Sequence, residues 1–308
     1  MKVSLLQMKT LPSPEENIIK IKSMLKQAKK AGADMAVLPE MCACPYENSA
    51  FVQFAMPSNS PFLTEIAESA KELGLYVVAG SVPEQEKGKI YNTSFVYNPK
   101  GECIARHRKV HLFDINVKGG QYFMESDTFT PGKKATTFDT PWGRFGLMIC
   151  YDIRFPELAR ITSRPTDPYK DTVGIIVPAA FNMTTGPAHW ELSFRMRALD
   201  NQVFMIGCAP ARNMNSSYHA WGHSIVTDPW GSVVAQLEEQ EDILTVELDF
   251  ERVSAVREQL PLLKHRRTDL YRIESGMGMS CEQMTFLSPQ QKEALKERID
   301  TLFRRDSE

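Results

Sequence analysis

The sequence has no run of about 18 apolar residues, the length that a membrane-spanning helix requires. It has no marked excess of charge of either sign, with 36 lysines and arginines against 38 aspartates and glutamates. Its overall charge therefore does not favour nucleic acid or an anionic membrane as a partner. No internal repeat or low-complexity segment is visible. What remains is an ordinary globular composition of 308 residues, 43% of them hydrophobic.

The short motifs that hold metals or cofactors are also missing. Cys42 and Cys44 are separated by one residue rather than two, which makes a redox or zinc pair a weak interpretation. His107 and His111 have a spacing that can bind zinc on a helix, but no Glu follows the first His and the segment resembles a strand end. The stretch "VKGGQY" lacks the phosphate-loop and dinucleotide patterns. We expect neither a metal nor a cofactor.

The amino-terminal stretch "MKVSLLQMKTLP" has only a short apolar segment and no small-residue cleavage site, so we do not expect a signal peptide. In a reducing compartment the six cysteines would be thiols rather than a disulfide framework. The expected location is the cytoplasm.

Strand-like and helix-like segments alternate along the chain, which indicates an α/β fold. Hairpins interleaved with helices fit a four-layer αββα sandwich of mixed sheets. No linker divides residues 1–275, which we interpret as one domain. Residues 276–308 form an extension with a predicted helix over about 288–305, in which Leu295, Ile299, Leu302 and Phe303 would share one face.

Three strand-like runs end on reactive side chains: Glu40 after "MAVLP", Lys109 after "ECIARHR" and Cys150 after "FGLMI". Ligand sites gather at strand ends in open α/β sheets. A thiol needs a base or a positive neighbour to become an effective nucleophile. Glu40 could be that base, and Lys109 could both favour the thiolate and stabilise an oxyanion. The three residues therefore suggest nucleophilic catalysis without histidine.

Each of these residues also has a plainer interpretation. Cys150 alone would more often be a small buried hydrophobe. Glu40 could be a loop carboxylate, and Lys109 part of the basic run "RHRKVH", which in isolation suggests a nucleic-acid patch.

The stretches "LPEM", "RKVHLFD" and "CYDIRFPE" resemble the Glu–Lys–Cys motifs of the nitrilase, or carbon–nitrogen hydrolase, superfamily, in family order and over residues 1 to about 275. The finer resemblance is to the ω-amidase group, through "HLFDINV", "MESDTFTPG", "AAFNMTTGPAHWEL" and "AWGHSIVTDPWG". It implies an αββα fold, a homodimer formed through the helical layer, and hydrolysis of the terminal amide of α-keto acids such as 2-oxoglutaramate and 2-oxosuccinamate.

The resemblance also implies roles for individual residues. Cys150 would attack the amide carbonyl and form a thioester, and Glu40 would take the thiol proton and pass it to ammonia. Lys109 and the backbone amide of Tyr151 would hold the oxyanion. Glu125 matches a position thought to orient the substrate or water.

A dicarboxylic half-amide also needs a group that binds its free carboxylate. Arg154 is the best candidate because a guanidinium can bind a carboxylate in bidentate fashion, although it could instead pair with Asp152 or Glu157. Tyr46, Phe181 and Thr185 match family positions that line the same pocket. Glu47 stands where a small residue commonly follows the tyrosine, and "SRPTDPYKDTVG" looks longer than its family counterpart.

Three functions stay open at this point. The first is an ω-amidase. The second is a related enzyme that acts on deaminated glutathione, a carbamoyl compound or a nitrile. The third is a non-catalytic binding protein on the same fold.

Overall fold

The computed structural model describes residues 1–118, 121–163, 172–271 and 273, and Met1–Ile273 form one compact unit. The strands are β1 (Lys2–Gln7), β2 (Met35–Val37), β3 (Tyr76–Glu86), β4 (Lys89–Tyr97), β5 (Cys103–Arg108), β6 (Asp114–Asn116), β7 (Tyr122–Met124), β8 (Thr136–Thr140), β9 (Gly143–Leu147), β10 (Thr172–Pro178), β11 (Phe204–Cys208), β12 (Ile225–Thr227), β13 (Val233–Gln236) and β14 (Asp242–Glu247). The helices are α1 (Pro14–Lys30), α2 (Asn48–Gln53), α3 (Pro61–Leu73), α4 (Pro156–Thr162), α5 (Gly186–Asn201) and α6 (Glu251–Gln259).

Two six-stranded mixed sheets form the centre of the molecule. The first has the order β14-β1-β2-β3-β4-β5, and the second has the order β13-β12-β11-β10-β9-β8. Strands β1, β2 and β3 run parallel, as do β9, β10 and β11, while the outer strands pair antiparallel. The carboxyl ends of the parallel strands are where loops can carry a site.

Side chains alternate between the two faces of each sheet, as strand geometry requires. Val3, Leu5 and Met35 of the first sheet pack against Phe145 and Ile206 of the second. The intervening residues of the first sheet pack on α1 and α3, and those of the second on α4 and α5. The order of layers is helix, sheet, sheet, helix, which confirms the predicted αββα sandwich.

Local signals define the helix ends that the sequence predicts best. Ser60 caps α3 by accepting a hydrogen bond from the backbone N–H of Leu63, and Pro61 begins the helix. Gly74 ends it in the left-handed region at φ +60°. None of the described helices is both long and apolar enough to cross a bilayer.

Two features differ from what the sequence predicts. The sequence predicts an irregular segment over 112–132, whereas the structure has the short strand pair β6–β7 and a 3₁₀ turn there. Helices α2 and α6 were not predicted, because each is short and buries only two side chains and so gives a weak periodic signal. The predicted helix over about 288–305 lies outside the described residues, as do Leu295, Ile299, Leu302 and Phe303, so the extension over 276–308 stays a prediction.

A bulge in β3 makes room for the turn that carries Glu40. Gly80 has φ +23°, and a Cβ atom there would lie 2.0 Å from the carbonyl oxygen of Pro39. The next residue holds the turn directly, because Ser81 Oγ accepts a hydrogen bond from the amide of Met41 at 3.1 Å. The bulge therefore positions Glu40 from the neighbouring strand.

We expect Gly80→Ala to destabilise the fold by about 3 kcal/mol or more, because it adds a steric overlap to an unfavourable φ. Gly88→Ala is the matched control, since Gly88 also has positive φ but a Cβ atom added there would meet no atom within 4 Å, and it should cost about 1–2 kcal/mol. Urea unfolding measures both. Equal losses of stability would contradict the steric account.

Candidate active site

The three reactive residues predicted from strand ends meet at one edge of the two sheets. Glu40 lies three residues past β2, Lys109 directly follows β5, and Cys150 lies three residues past β9. All three are buried. The sheets face each other, so the loops after strands of both sheets converge there.

Cys150 begins a short 3₁₀ turn, Cys150–Arg154, and has φ +46°. A non-glycine residue in the left-handed region is strained by roughly 1–3 kcal/mol and persists only where surrounding contacts hold it. The charge of the Glu40 carboxylate acts on its thiol. The tight turn thus directs the sulfur away from β9 and towards Glu40.

Donors on several elements surround the Glu40 carboxylate. Oε1 accepts hydrogen bonds from Lys109 Nζ and Asn92 Nδ2, both at 2.9 Å, and from the Tyr46 hydroxyl at 3.5 Å. Oε2 accepts from the backbone amide of Ala180 at 2.8 Å. With its oxygens held in this way, the carboxylate has one orientation in which to accept a proton from the thiol.

Lys109 lies between two carboxylates and is itself fully buried. Its Nζ is 2.9 Å from Glu40 and 2.8 Å from Glu125. Burial alone would lower the pKa of Lys109, but the charges of Glu125 and Glu40 raise it above the usual lysine value. Glu125 also accepts hydrogen bonds from Asn92 at 2.8 Å and from the amide of Phe113 at 2.6 Å. Lys109 is therefore a permanent cation in a fixed position.

The thiol of Cys150 is protonated in the resting protein. Burial and the negative charge of Glu40 raise its pKa well above the usual cysteine value, and the opposing effect of Lys109 does not compensate. Lys109 lowers the pKa of Cys150 and so favours the thiolate, as expected, but burial and Glu40 outweigh this effect. A nucleophilic sulfur requires transfer of its proton to Glu40 as the bond to the substrate forms.

Asp152 links the turn of Cys150 to the segment of Lys109. Its carboxylate is 3.1 Å from His107 Nε2 and 2.9 Å from His111 Nδ1, and it accepts the amide of His111 at 2.9 Å. These contacts lower the pKa of Asp152, although its burial acts in the opposite direction. The i, i+4 histidines thus bind a carboxylate of the protein, which removes the basis for interpreting them as a zinc pair.

The basic run "RHRKVH" is not an exposed cationic patch. Arg106 pairs with Glu84 and Glu86 at 2.9 and 3.2 Å, and Arg108 pairs with the same two residues at 2.8 and 3.0 Å. The other charge of the run, Lys109, is buried. The nucleic-acid interpretation of this run is therefore not supported.

A small pocket opens beside the sulfur. It is lined by Phe113, Cys150, Tyr151, Arg154, Ala180, Phe181 and Thr185. The structure therefore brings Tyr151, Arg154, Phe181 and Thr185 to Cys150, as the resemblance implies. Among the described residues Arg154 forms no ion pair with Asp152 or Glu157. The alternative in which Arg154 pairs with one of these carboxylates is therefore wrong.

Tyr46 contributes to an aromatic wall around Glu40. It is buried, and its ring lies 4.4 Å from that of Tyr218 and 5.5 Å from that of Phe123. Glu47, noted for its departure from the usual pattern, accepts a hydrogen bond from Ser217 at 2.9 Å on the outer side of this wall. Glu47 therefore does not reach the pocket beside Cys150, whose lining residues do not include it.

Sequence reasoning missed Asn92 and the Ala180 amide, which both hold Glu40. Asn92 is a fully buried asparagine inside strand β4. A polar residue within a strand that reads "IYNTSFVY" is a weak signal, and nothing in the sequence connects it to Glu40. A backbone amide leaves no sequence signal at all.

Within the described ranges, one group could offer three ligand atoms to a metal: His223, Glu238 and Glu239. It shares no residue with the site around Cys150. Glu238 and Glu239 are exposed or half-buried carboxylates, which are common without an ion, and the chemistry of the thiol site needs none.

Comparisons with known proteins agree with this geometry. The family model of carbon-nitrogen hydrolases matches residues 2–258. The chain is similar to the omega-amidase NIT2-A of Xenopus laevis, with 44% identity over 89% of this chain and 97% of the relative. It is also 44% identical to the hydrolase C26A3.11 of Schizosaccharomyces pombe, over 88% and 83% of the two chains. The crystal structure of Saccharomyces cerevisiae Nit3, a member of branch 10 of the nitrilase superfamily, superposes with a TM-score of 0.79 at 40% identity, over 87% and 96% of the two chains.

Proposed function

Because the chain belongs to the carbon–nitrogen hydrolase family, we propose that it hydrolyses the terminal amide of small α-keto dicarboxylic half-amides, such as 2-oxoglutaramate and 2-oxosuccinamate, to the acid and ammonia. The observation that carries this proposal is that Cys150, Glu40 and Lys109 meet at one buried site, where Lys109 Nζ lies 2.9 Å from the Glu40 carboxylate. The names of the omega-amidase relatives support the substrate class.

In the first half of the reaction, Glu40 takes the thiol proton while the sulfur of Cys150 attacks the amide carbonyl. Lys109 and the backbone amide of Tyr151 stabilise the negative charge that develops on the carbonyl oxygen. The carbon–nitrogen bond then breaks, and Glu40 passes the proton to the departing ammonia. The products of this half are ammonia and a thioester on Cys150.

In the second half, a water molecule attacks the thioester and Glu40 again acts as the base. The carbon–sulfur bond breaks, the acid leaves, and the proton returns to the sulfur of Cys150. Glu125 holds Lys109 in place throughout, because its carboxylate lies 2.8 Å from the ammonium.

Arg154 would bind the free carboxylate of the half-amide. It lines the pocket that also contains the sulfur, together with the aromatic ring of Phe181 and the hydroxyl group of Thr185. This combination suits a short acyl chain with a polar group and a terminal charge. An uncharged amide would lack the contact with Arg154.

A substrate panel tests the proposal. Purified protein should release ammonia from 2-oxoglutaramate faster than from carbamoyl compounds, nitriles or the amide of deaminated glutathione. A preference for one of those compounds would assign the same thiol chemistry to a different acyl group. Absence of ammonia from every member of the panel would support a binding protein instead.

We expect Arg154→Met to lower the ratio of kcat/KM for 2-oxoglutaramate to kcat/KM for an uncharged amide of equal length by about 10- to 100-fold. That corresponds to roughly 1.5–3 kcal/mol for a lost hydrogen bond to a charged group. Arg154→Lys, the matched control, keeps the charge but loses the bidentate geometry and should give an intermediate ratio. An unchanged ratio in the methionine variant would refute the carboxylate role.

A homodimer through the outer face of α5 is a further part of the proposal. Trp190 and Phe194 of this helix are buried, whereas Leu192 and Met196 are 66% and 43% exposed. Apolar side chains together on an outer helix face suit contact with a second copy of the chain. Light scattering should give a dimer for the native protein and a monomer for Leu192→Glu.

The cytoplasm is the proposed location. The five described cysteines are free thiols, as expected for a reducing compartment. Fractionation of cells that produce the protein would test the assignment, with recovery in an organelle or secreted fraction as the contrary result.

A further inference from the structure

The guanidinium group of Arg154 is held by two rings and one imidazole. Its Cζ lies 4.6 Å from the centre of the Phe181 ring and 5.5 Å from that of Tyr151. Its Nη1 lies 2.9 Å from Nδ1 of His189, which is in the first turns of α5. Arg154 and His189 are 35 residues apart, so the fold alone brings them together.

The protonation state of His189 follows from this contact. Arginine carries only hydrogen-bond donors, so Nδ1 of His189 must accept, and the ring proton must be on Nε2. Burial and the charge of Arg154 lower the pKa of His189, which is consistent with a neutral imidazole near neutral pH. Protonation of Nδ1 would remove the hydrogen bond and place a second positive charge beside the guanidinium.

One edge of the guanidinium is left without a protein partner. His189 occupies Nη1, and in the described part of the chain no hydrogen bond engages Nε or Nη2. Nε is buried despite lacking a partner, which is uncommon for a native polar group. Because Arg154 lines the pocket beside Cys150, the Nε–Nη2 edge is suited to bidentate binding of a carboxylate.

From this geometry we propose that His189 is a positioning residue that determines substrate specificity. Neutral His189 fixes Arg154 through Nη1 and so presents the Nε–Nη2 edge to the free carboxylate of the substrate. Protonated His189 releases that arrangement, and selectivity for carboxylated amides falls at acid pH. The inference rests on the proposed function, and it adds a residue outside the lining of the pocket.

Arg154 is the charged group that affects the pKa of His189. On α5, Glu191 pairs with Arg195 at 3.2 Å. On the neighbouring α4, Glu157 is exposed and forms no ion pair in the described ranges. The groups that act on Arg154 are Cys150, Tyr151 and Tyr218, a thiol and two phenols.

The test compares His189→Asn with His189→Leu. Asparagine can place an acceptor oxygen near the position of Nδ1 but does not titrate, whereas leucine provides no acceptor. The measured quantity is kcat/KM for the carboxylated half-amide divided by kcat/KM for an uncharged amide of equal length, between about pH 8 and about pH 4.5. This range extends below ordinary histidine titration because the pKa of His189 is lowered. Dividing the two values cancels the pH dependence that comes from groups acting on both substrates, such as Glu40.

In the wild type this ratio should fall as the pH is lowered. In His189→Leu it should be about 5- to 10-fold below the wild type at pH 8 and nearly independent of pH. In His189→Asn it should stay close to the neutral wild-type value down to acid pH. His265→Asn, which changes an exposed histidine, should reproduce the wild-type profile. An unchanged ratio in the leucine variant, or a wild-type fall in the asparagine variant, would overturn the inference.

Binding of the dicarboxylate product separates this inference from the proposed function, because it requires no turnover. Calorimetry should show weaker binding to His189→Leu than to the wild type at pH 8. If the wild type hydrolyses neither amide but this difference is found, the proposed function fails and the role of His189 stands. Equal affinities of the wild type and the leucine variant, in a protein that hydrolyses the half-amide, would overturn the role of His189 alone.

Discussion

Cys150→Ala should lower the rate of ammonia release from 2-oxoglutaramate by roughly 10⁴-fold or more, the scale seen when a nucleophile is removed from a catalytic group that acts as a unit. The reason is that, of the five cysteines in the described part of the chain, only Cys150 lines the pocket of the site. Among the described cysteines only Cys150 has a pKa on which Glu40 acts. The measurement is initial-rate ammonia release at saturating substrate, together with mass spectrometry of the acid-quenched protein for an acyl adduct.

Two cysteine variants serve as controls. Cys208→Ala removes a thiol that is as buried as Cys150, and Cys103→Ala removes an exposed one. Both should remain active and should still form the adduct. Substantial ammonia release by Cys150→Ala would contradict the thioester route, and would require a different nucleophile at the site.

The second large effect concerns the cation between the carboxylates. Lys109→Met should abolish activity and also lower the free energy of unfolding by about 3–5 kcal/mol, because it leaves the buried carboxylates of Glu40 and Glu125 without their partner. Urea denaturation at neutral pH measures the stability, and ammonia release measures the activity.

A double variant separates the two effects of Lys109. Adding Glu125→Gln to Lys109→Met removes one of the two unpaired charges, so much of the lost stability should return. Activity should not return, because the oxyanion would still lack the ammonium. Full activity in a stable double variant would show that Lys109 serves only to neutralise Glu125.

The sequence was sufficient for the parts of the fold that depend on local signals. Helix α3 has a serine cap, a proline at its first position and a terminal glycine, so both of its ends carry local signals. Glu40, Lys109 and Cys150 could be selected because strand ends in α/β folds meet at one edge. In these cases the interacting residues are close together in the sequence, or their proximity follows from the general arrangement of strand ends in α/β sheets.

The rest of the site depends on distances between segments far apart in the chain. The pKa of Cys150 is raised by burial and by Glu40, more than 100 residues earlier, and the local sequence contains neither cause. Asp152 was considered only as a partner of Arg154, whereas it binds His107 and His111. Arg154 was selected for its chemistry, but its partner His189 could be identified only from the packing of α5 against the Cys150 turn.

The proton on the resting sulfur also has a consequence for durability. Peroxide oxidises thiolates much more readily than thiols, and the sulfenic acid that forms can proceed to irreversible states. A hydrolase that stores its nucleophile as a buried thiol presents little thiolate to such oxidants between turnovers. In the proposed mechanism Glu40 removes the proton only when an acyl group is positioned to react, so the thiol would be protected from oxidation between turnovers.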